Sequence, residues 1–285
     1  MKSKPGAPAA PPLAGALLSL PLPGRHRPLD GFWVPGRRRH ATLLVVVHGM
    51  GGNFYRSTLK KEWLRQGPRH DCDVLSFNNR GAERQVAGER FGDCLADIDT
   101  ALQCGRRLGY RRFVLLGHST GCQKIVYYQA RRQRADVAAL VLAAPVDDLA
   151  ICRRDLGARY AYWLRRARGL VRQGRGGTLL PMLYEKFSAH RFLSIADPRS
   201  VEAQVFNYDG PLRHFRAIRC PLLAFLGTHE EFACRPVAEM GAILRQATRA
   251  RPFHFFAVPG ADHGFHGREA ATVQRVLRWV RALRN

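Results

Sequence analysis

Six consecutive residues, Thr42-Leu43-Leu44-Val45-Val46-Val47, contain no charge, no turn former and no alternation. A strand with one wet face alternates apolar and polar residues. An unbroken apolar run of this length belongs to a strand covered on both faces, which requires helices on either side of its sheet. The rest of the chain supplies them in alternation. Helical spacing appears over 58–66, 91–108, 123–133, 236–246 and 270–283, and apolar strand runs over 73–77, 113–116, 137–144, 222–226 and 253–258. Short alternating segments at 17–22 and 29–34 precede them as an opening pair of strands. This rhythm predicts an α/β protein, a mostly parallel sheet covered by helices on both faces.

The rhythm breaks once, over residues 149–213. A stretch that long without a core strand reads as a functional insertion, a helical lid or cap, rather than a structureless loop. Helices are expected there around 155–172, followed by a Gly-rich turn at 174–177. The expected organisation is a Pro/Ala-rich, disordered tail at 1–12, a core made of 13–148 and 214–285, and the lid between.

Charge and cysteine content narrow the function classes. Forty-six Lys and Arg against 22 Asp and Glu leave a formal charge of +24, and 40 of the 46 are Arg. Nucleic-acid binders concentrate such charge on one element and interleave aromatics, whereas here no basic run is longer than Arg37-Arg38-Arg39. No nucleic-acid partner is therefore expected. Seven Cys without a C-x-x-C pair or zinc spacing give neither a disulfide framework nor a metal site, and point to a reducing, cytoplasmic location. The apolar stretch at 13–20 is too short to span a membrane, so no stable membrane insertion is expected.

The chemistry-bearing signal is Gly117-His118-Ser119-Thr120-Gly121, a G-x-S-x-G. A strand runs into it and a helix leaves it, the context that exposes a nucleophilic hydroxyl on a sharp turn. A serine needs a base, and His263 follows the last expected strand at the same sheet edge, with His266 as the alternative. The base needs an acid to fix its tautomer. Glu230, after the strand at 222–226, is the first choice; Glu231 is an alternative, and Asp147 (with Asp148) another. His48-Gly49-Met50-Gly51-Gly52 follows the 42–47 strand, so the backbone amides of Met50 and Thr120 are the expected oxyanion donors. Gly49, Gly51 and His118 are expected to border the substrate. No phosphate-cradling or dinucleotide fingerprint is present, and the expected chemistry needs neither cofactor nor metal.

With these residues in place, the chain resembles the α/β-hydrolase superfamily over residues 29–285. The runs VVVHGMGGNFY (45–55), FNNRG (77–81), LLGHSTGCQKIVYY (115–128), QGRGG (173–177) and GADHGF (260–265) are similar to a little-characterised branch that includes fungal siderophore esterases. The resemblance implies the α/β-hydrolase fold and a serine esterase acting on a small-molecule ester. Ser119 would be nucleophile and His263 base. One departure stands out: the acid in the Gly-x-x-Asp pattern is ordinarily Asp, and the matching residue here is Glu230. The motifs leave open thioesters, amides, acyl transfer and the oligomeric state. A non-catalytic scaffold that retains the fold is the competing expectation.

Overall fold

A computed structural model describes residues 12–24, 26–36, 41–70, 72–181 and 186–283. Of the tail expected over 1–12, all but Pro12 lies outside these residues. The strands in chain order are β1 (Ala16–Leu20), β2 (Leu29–Val34), β3 (Thr42–Val47), β4 (Asp73–Phe77), β5 (Arg112–His118), β6 (Val137–Ala143), β7 (Leu179–Leu180), β8 (Phe187–Ser188), β9 (Leu222–Gly227) and β10 (Phe253–Val258). The helices are α1 (Thr58–Gln66), α2 (Cys94–Arg107), α3 (Thr120–Arg132), α4 (Asp148–Leu156), α5 (Tyr160–Arg172), α6 (Ala189–Ala196), α7 (Val201–Val205), α8 (Arg213–Arg216), α9 (Val237–Ala247) and α10 (Glu269–Ala282).

Eight strands form one sheet in the order β1-β2-β4-β3-β5-β6-β9-β10. β1 and β2 pair antiparallel, as do β2 and β4; every later pair is parallel. Side chains alternate between faces along each strand. Leu43, Val45 and Val47 of β3 therefore join Phe113, Leu115, Leu140 and Leu142 in one core, beneath α2, α3 and α9. Leu44 and Val46 join Val114, Leu116, Val141 and Phe225 in a second core, against Leu59, Trp63 and Leu64 of α1 and Val273, Val276 and Leu277 of α10. The unbroken apolar run of β3 is the signature of a strand that faces both cores.

The order β4-β3-β5 places a topological switch at β3, since the chain leaves β3 toward one side and returns on the other. In open α/β sheets ligands bind at such a switch, outside the carboxyl ends of the strands. Val47 is level with Gly117 across that switch. The segment after β3 and the turn after β5 consequently meet.

The region between β6 and β9 departs from its sequence reading in one respect. The helices expected around 155–172 begin earlier: α4 runs from Asp148 to Leu156 and α5 from Tyr160 to Arg172, joined by a short 3-10 turn. Asp147 starts α4 by accepting the Ala150 amide at 2.9 Å. Gly157 breaks the helix, with φ +49, a conformation glycine adopts without the steric cost of a Cβ. α5 buries Leu164, Ala167 and Leu170, one face of its amphipathic stripe, against Phe187, Phe192 and Ile195. Among the described residues no helix is long and apolar enough to cross a membrane, and no three metal-binding side chains gather.

Candidate active site

Ser119 occupies the turn between β5 and α3 with φ 57 and ψ −130, a region that a side-chain-bearing residue enters at a cost of about 1–3 kcal/mol. Its surroundings hold it there. The Ser119 amide donates to Ala143 O at 2.9 Å, and the Cys122 amide donates back to Ser119 O at 2.8 Å. Two glycines make the turn possible. A Cβ at Gly117 would lie 2.4 Å from Gly121 O, and one at Gly121 would lie 2.3 Å from Val47 O. α3 begins at Thr120, three residues earlier than its sequence reading, so Ser119 sits immediately before the helix and Thr120 opens it. The first amides of a helix have no partner within it, which leaves the Thr120 N–H available to an oxyanion.

His263 lies in the loop between β10 and α10, and its Nδ1 is 2.7 Å from Glu230 Oε1. Because a carboxylate only accepts, Nδ1 is the donor of this bond. The Glu230 side chain is fully buried; Oε1 also accepts the Phe232 amide at 3.2 Å, while Oε2 has no partner among the described residues. Two contacts lock the acid loop to the histidine loop. The His229 amide donates to Ala261 O at 2.9 Å, and the Gly260 amide to Thr228 Oγ1 at 2.8 Å. Among the described residues no hydrogen bond joins Ser119 Oγ to His263, a link that in unliganded enzymes commonly tightens only with substrate.

The alternatives separate cleanly. Glu231 Oε2 accepts the backbone amide of His263 at 2.8 Å, which supports the loop rather than the ring. Both Asp147 oxygens are occupied by the backbone amides of Ala150 and Tyr208. Asp148 accepts from Gln123. His266 pairs with Asp262 at 2.8 Å, with its side chain 68% exposed. His118, expected at the substrate, donates from Nε2 to His263 O at 2.9 Å, and its ring lies 5.0 Å from that of His263. Burial and then the nearby His263 lower its pKa to about 3, so it stays neutral and positions the loop.

Gly49 packs directly on the elbow: a Cβ there would lie 2.7 Å from Ser119 Cβ. What anchors this loop was not visible in the sequence. His48 is buried, and its Nε2 accepts the Asn79 amide at 3.1 Å, so Nδ1 is the protonated nitrogen that donates to Gly49 O at 2.7 Å. Burial, then Lys124 and Lys60, lowers the His48 pKa well below its usual value and keeps it neutral. Asn79 Nδ2 donates to His48 O at 3.2 Å, and Asn79 Oδ1 accepts from Lys124 Nζ at 3.2 Å. Lys124 pairs with Glu89 at 2.5 Å, and Glu89 with Arg191 of α6 at 3.1 Å; Arg191 is in turn held by Glu202 of α7. The FNNRG motif thus contributes Asn79 to the loop anchor, while Arg80 folds away onto Asp97 at 2.7 Å.

The same charged chain ties the α4–α7 segment to the loop, and an apolar contact adds to it. Met50 and Val86 belong to the cluster built by Leu156, Leu164, Phe187, Phe192 and Ile195. Of the Arg on α4 and α5, Arg154 pairs with Asp155 and also donates to Glu231 O at 3.2 Å, and Arg168 pairs with Asp197 at 2.9 Å. Arg165, Arg166 and Arg172 face solvent.

Residues 44–275 match the sequence pattern of the alpha/beta hydrolase family. The chain belongs to that family. Among solved structures it is similar to the siderophore hydrolase EstB from Aspergillus fumigatus, at 20% identity with a TM-score of 0.75 over 95% of this chain and 98% of that one. It is also similar to Est1E from Butyrivibrio proteoclasticus bound to ferulic acid, at 14% identity, a TM-score of 0.68, and 92% and 97% coverage. A thermostable carboxyl esterase from Bacillus coagulans in complex with glycerol matches at 13% identity, a TM-score of 0.66, and 95% and 99% coverage. At these identities the likeness is one of fold. A search among curated proteins returns no match.

Proposed function

We propose that this protein is a serine hydrolase that cleaves a small carboxylic ester through an acyl-enzyme, with Ser119 as nucleophile, His263 as base and Glu230 as acid. The observation that carries the reading is the 2.7 Å bond from His263 Nδ1 to a fully buried Glu230, on the sheet edge where Ser119 occupies a strained turn. His263 Nε2 takes the hydroxyl proton as Ser119 Oγ bonds to the ester carbonyl carbon. The carbonyl oxygen becomes an oxyanion, received by the amides of Met50 and Thr120. The intermediate collapses, the C–O bond to the alcohol breaks, and His263 returns the proton to the departing alkoxide. Water repeats the sequence and frees the acid. Glu230 orients the ring and stabilises the transient imidazolium.

In this reading residues 149–213 act as a lid whose cluster with Met50 walls the acyl side of the site. Gly49 and Gly51 allow substrate to approach the backbone, and no cofactor or metal takes part. Because EstB is a siderophore hydrolase, siderophore-type esters belong in the first substrate panel.

The test is covalent labelling with a fluorophosphonate, read by mass spectrometry. An adduct on Ser119 that is lost in Ser119→Ala, together with loss of turnover on short acyl esters, is the expected outcome. Folded protein that takes no label would favour a non-catalytic scaffold on the same fold.

A further inference from the structure

Lys60 lies in the first turn of α1 and belongs to the buried face that also carries Leu59, Trp63 and Leu64. It is 5% exposed, and among the described residues it has neither hydrogen bond nor ion pair. Its ammonium is nonetheless absent from the sealed, unpartnered polar atoms, so the small surface that remains includes the charge. The charge that acts on it is that of Lys124, and its own charge helps to keep His48 and His118 neutral. The carboxylates around them are engaged elsewhere. Glu89 pairs with Lys124 and Arg191, Glu202 with Arg191, and Glu230 with His263; Glu62, on its own helix, pairs with Arg65. Glu269, on α10, accepts from Thr58.

The start of α1 has a complementary deficit. Ser57 makes no side-chain cap and the first turn holds no acidic residue, so no side chain of the helix itself answers its first amides, and the Glu269 carboxylate bonds the Thr58 hydroxyl there rather than an amide. Helical Cα–Cβ bonds lean toward the N-terminus, and the Lys60 stem therefore runs back toward that end, at the carboxyl edge of β3 where the Gly49 loop begins. A cation in the first turn of a helix, desolvated and repelled by Lys124, is costly. A methionine would fill the same space without that cost. Burial and then Lys124 pull the ammonium down to about 8, and it remains mostly charged at neutral pH.

We propose that Lys60 and the uncapped first turn of α1 form an anion subsite of the active site, which receives a carboxylate carried by the ester substrate. One bound carboxylate would answer both deficits, the unpaired ammonium and the orphan amides. The inference deepens the esterase reading and rests on it for the word substrate.

The experiment compares wild type, Lys60→Met and Lys60→Arg. Each is assayed on a neutral p-nitrophenyl acyl ester and on its counterpart with a terminal carboxylate at equal acyl length. The anionic-to-neutral ratio of kcat/KM should fall about tenfold or more in Lys60→Met, the worth of a charge-assisted contact, and largely recover in Lys60→Arg. Independently of turnover, glutarate should raise the Tm of wild type but not of Lys60→Met, at about 0.3 M salt to screen surface Arg. Equal loss on both esters, or an equal glutarate shift in both proteins, would overturn the subsite. If wild type cleaves neither ester, the esterase reading is what fails, and the glutarate arm still decides whether the anion site exists.

Discussion

Glu230→Gln isolates the charge of the proposed triad from its geometry. Glu230 Oε1 accepts both the His263 ring proton and the Phe232 amide. A glutamine is forced by those two donors to present its oxygen there, which preserves the Nδ1–H tautomer and puts the NH2 at the Oε2 position. What disappears is the negative charge opposite the imidazolium. With the charge centres about 4 Å apart and an effective dielectric near 20, that interaction is worth about 4 kcal/mol, and ~1.4 kcal/mol per decade makes the loss about a thousandfold in kcat. The assay is steady-state hydrolysis of a short p-nitrophenyl ester, with Glu231→Gln and Asp147→Asn as comparisons and circular dichroism as a check on folding. Glu231 supports only the His263 backbone amide, which a glutamine can still accept, so its loss should stay within about tenfold. Retention of wild-type kcat by Glu230→Gln, or greater damage from Glu231→Gln or Asp147→Asn, would refute the assignment.

Three further outcomes follow from the same geometry. Ser119→Gly should abolish turnover while raising stability by about 1–2 kcal/mol, because glycine adopts φ 57 without strain; urea unfolding measures it, and an unchanged or lower midpoint would contradict the strained turn. Asn79→Ala removes the side-chain bonds to His48 and Lys124 and should lower kcat about tenfold or more with little change in KM, since it loosens an oxyanion donor rather than a binding contact; a pure KM effect would contradict that role. Burial alone would raise the Glu89 carboxyl, but Lys124 and Arg191 overcome it and bring the pKa from 4.5 to about 2. A pKa lowered in the folded state contributes stability above pH ~4.5 that is lost as pH falls toward 2, here about 3 kcal/mol. The stability gap between wild type and Glu89→Gln should therefore narrow across that window and be constant above it.

The strand, turn and helix around Ser119 were legible because they are contiguous in the chain, over residues 112–132, and the loop that carries His263 follows a strand five residues before it. The choice between Glu230 and Glu231 was not, since adjacent side chains diverge by a backbone rotation that the sequence does not display. One meets the His263 ring and the other its amide. Helices around 155–172 were legible, but the start of α4 at Asp148 was not, because the capping role of Asp147 competed with its reading as an acid. The anchor of the loop after β3 was hidden by separation, for His48, Asn79, Glu89, Lys124 and Arg191 come together only through the sheet and the segment packed on it. Lys60 did carry a signal. It falls on the apolar stripe of α1 with Leu59, Trp63 and Leu64, where a lysine breaks the pattern.

The net charge of +24 can act on substrate in two physically distinct ways, and the structure separates the residues responsible. Arg165, Arg166 and Arg172 on α5 face solvent, whereas Arg168 is held by Asp197 and would cost structure if reversed. Exposed charges act through a screened field that decays over a Debye length of about 8 Å at physiological salt. Their reversal to Glu should lower kcat/KM for a carboxylate-bearing ester at low salt, leave kcat in place, and lose its effect as salt is added. Lys60, buried and in contact range of its ligand, is screened far less, so the effect of Lys60→Met should persist at high salt. Measuring both variants on the same anionic and neutral esters across a salt series distinguishes steering from binding. A Lys60 effect that vanishes with salt alongside the α5 effect would assign both to the surface field, and an α5 effect that ignores salt or substrate charge would remove steering altogether.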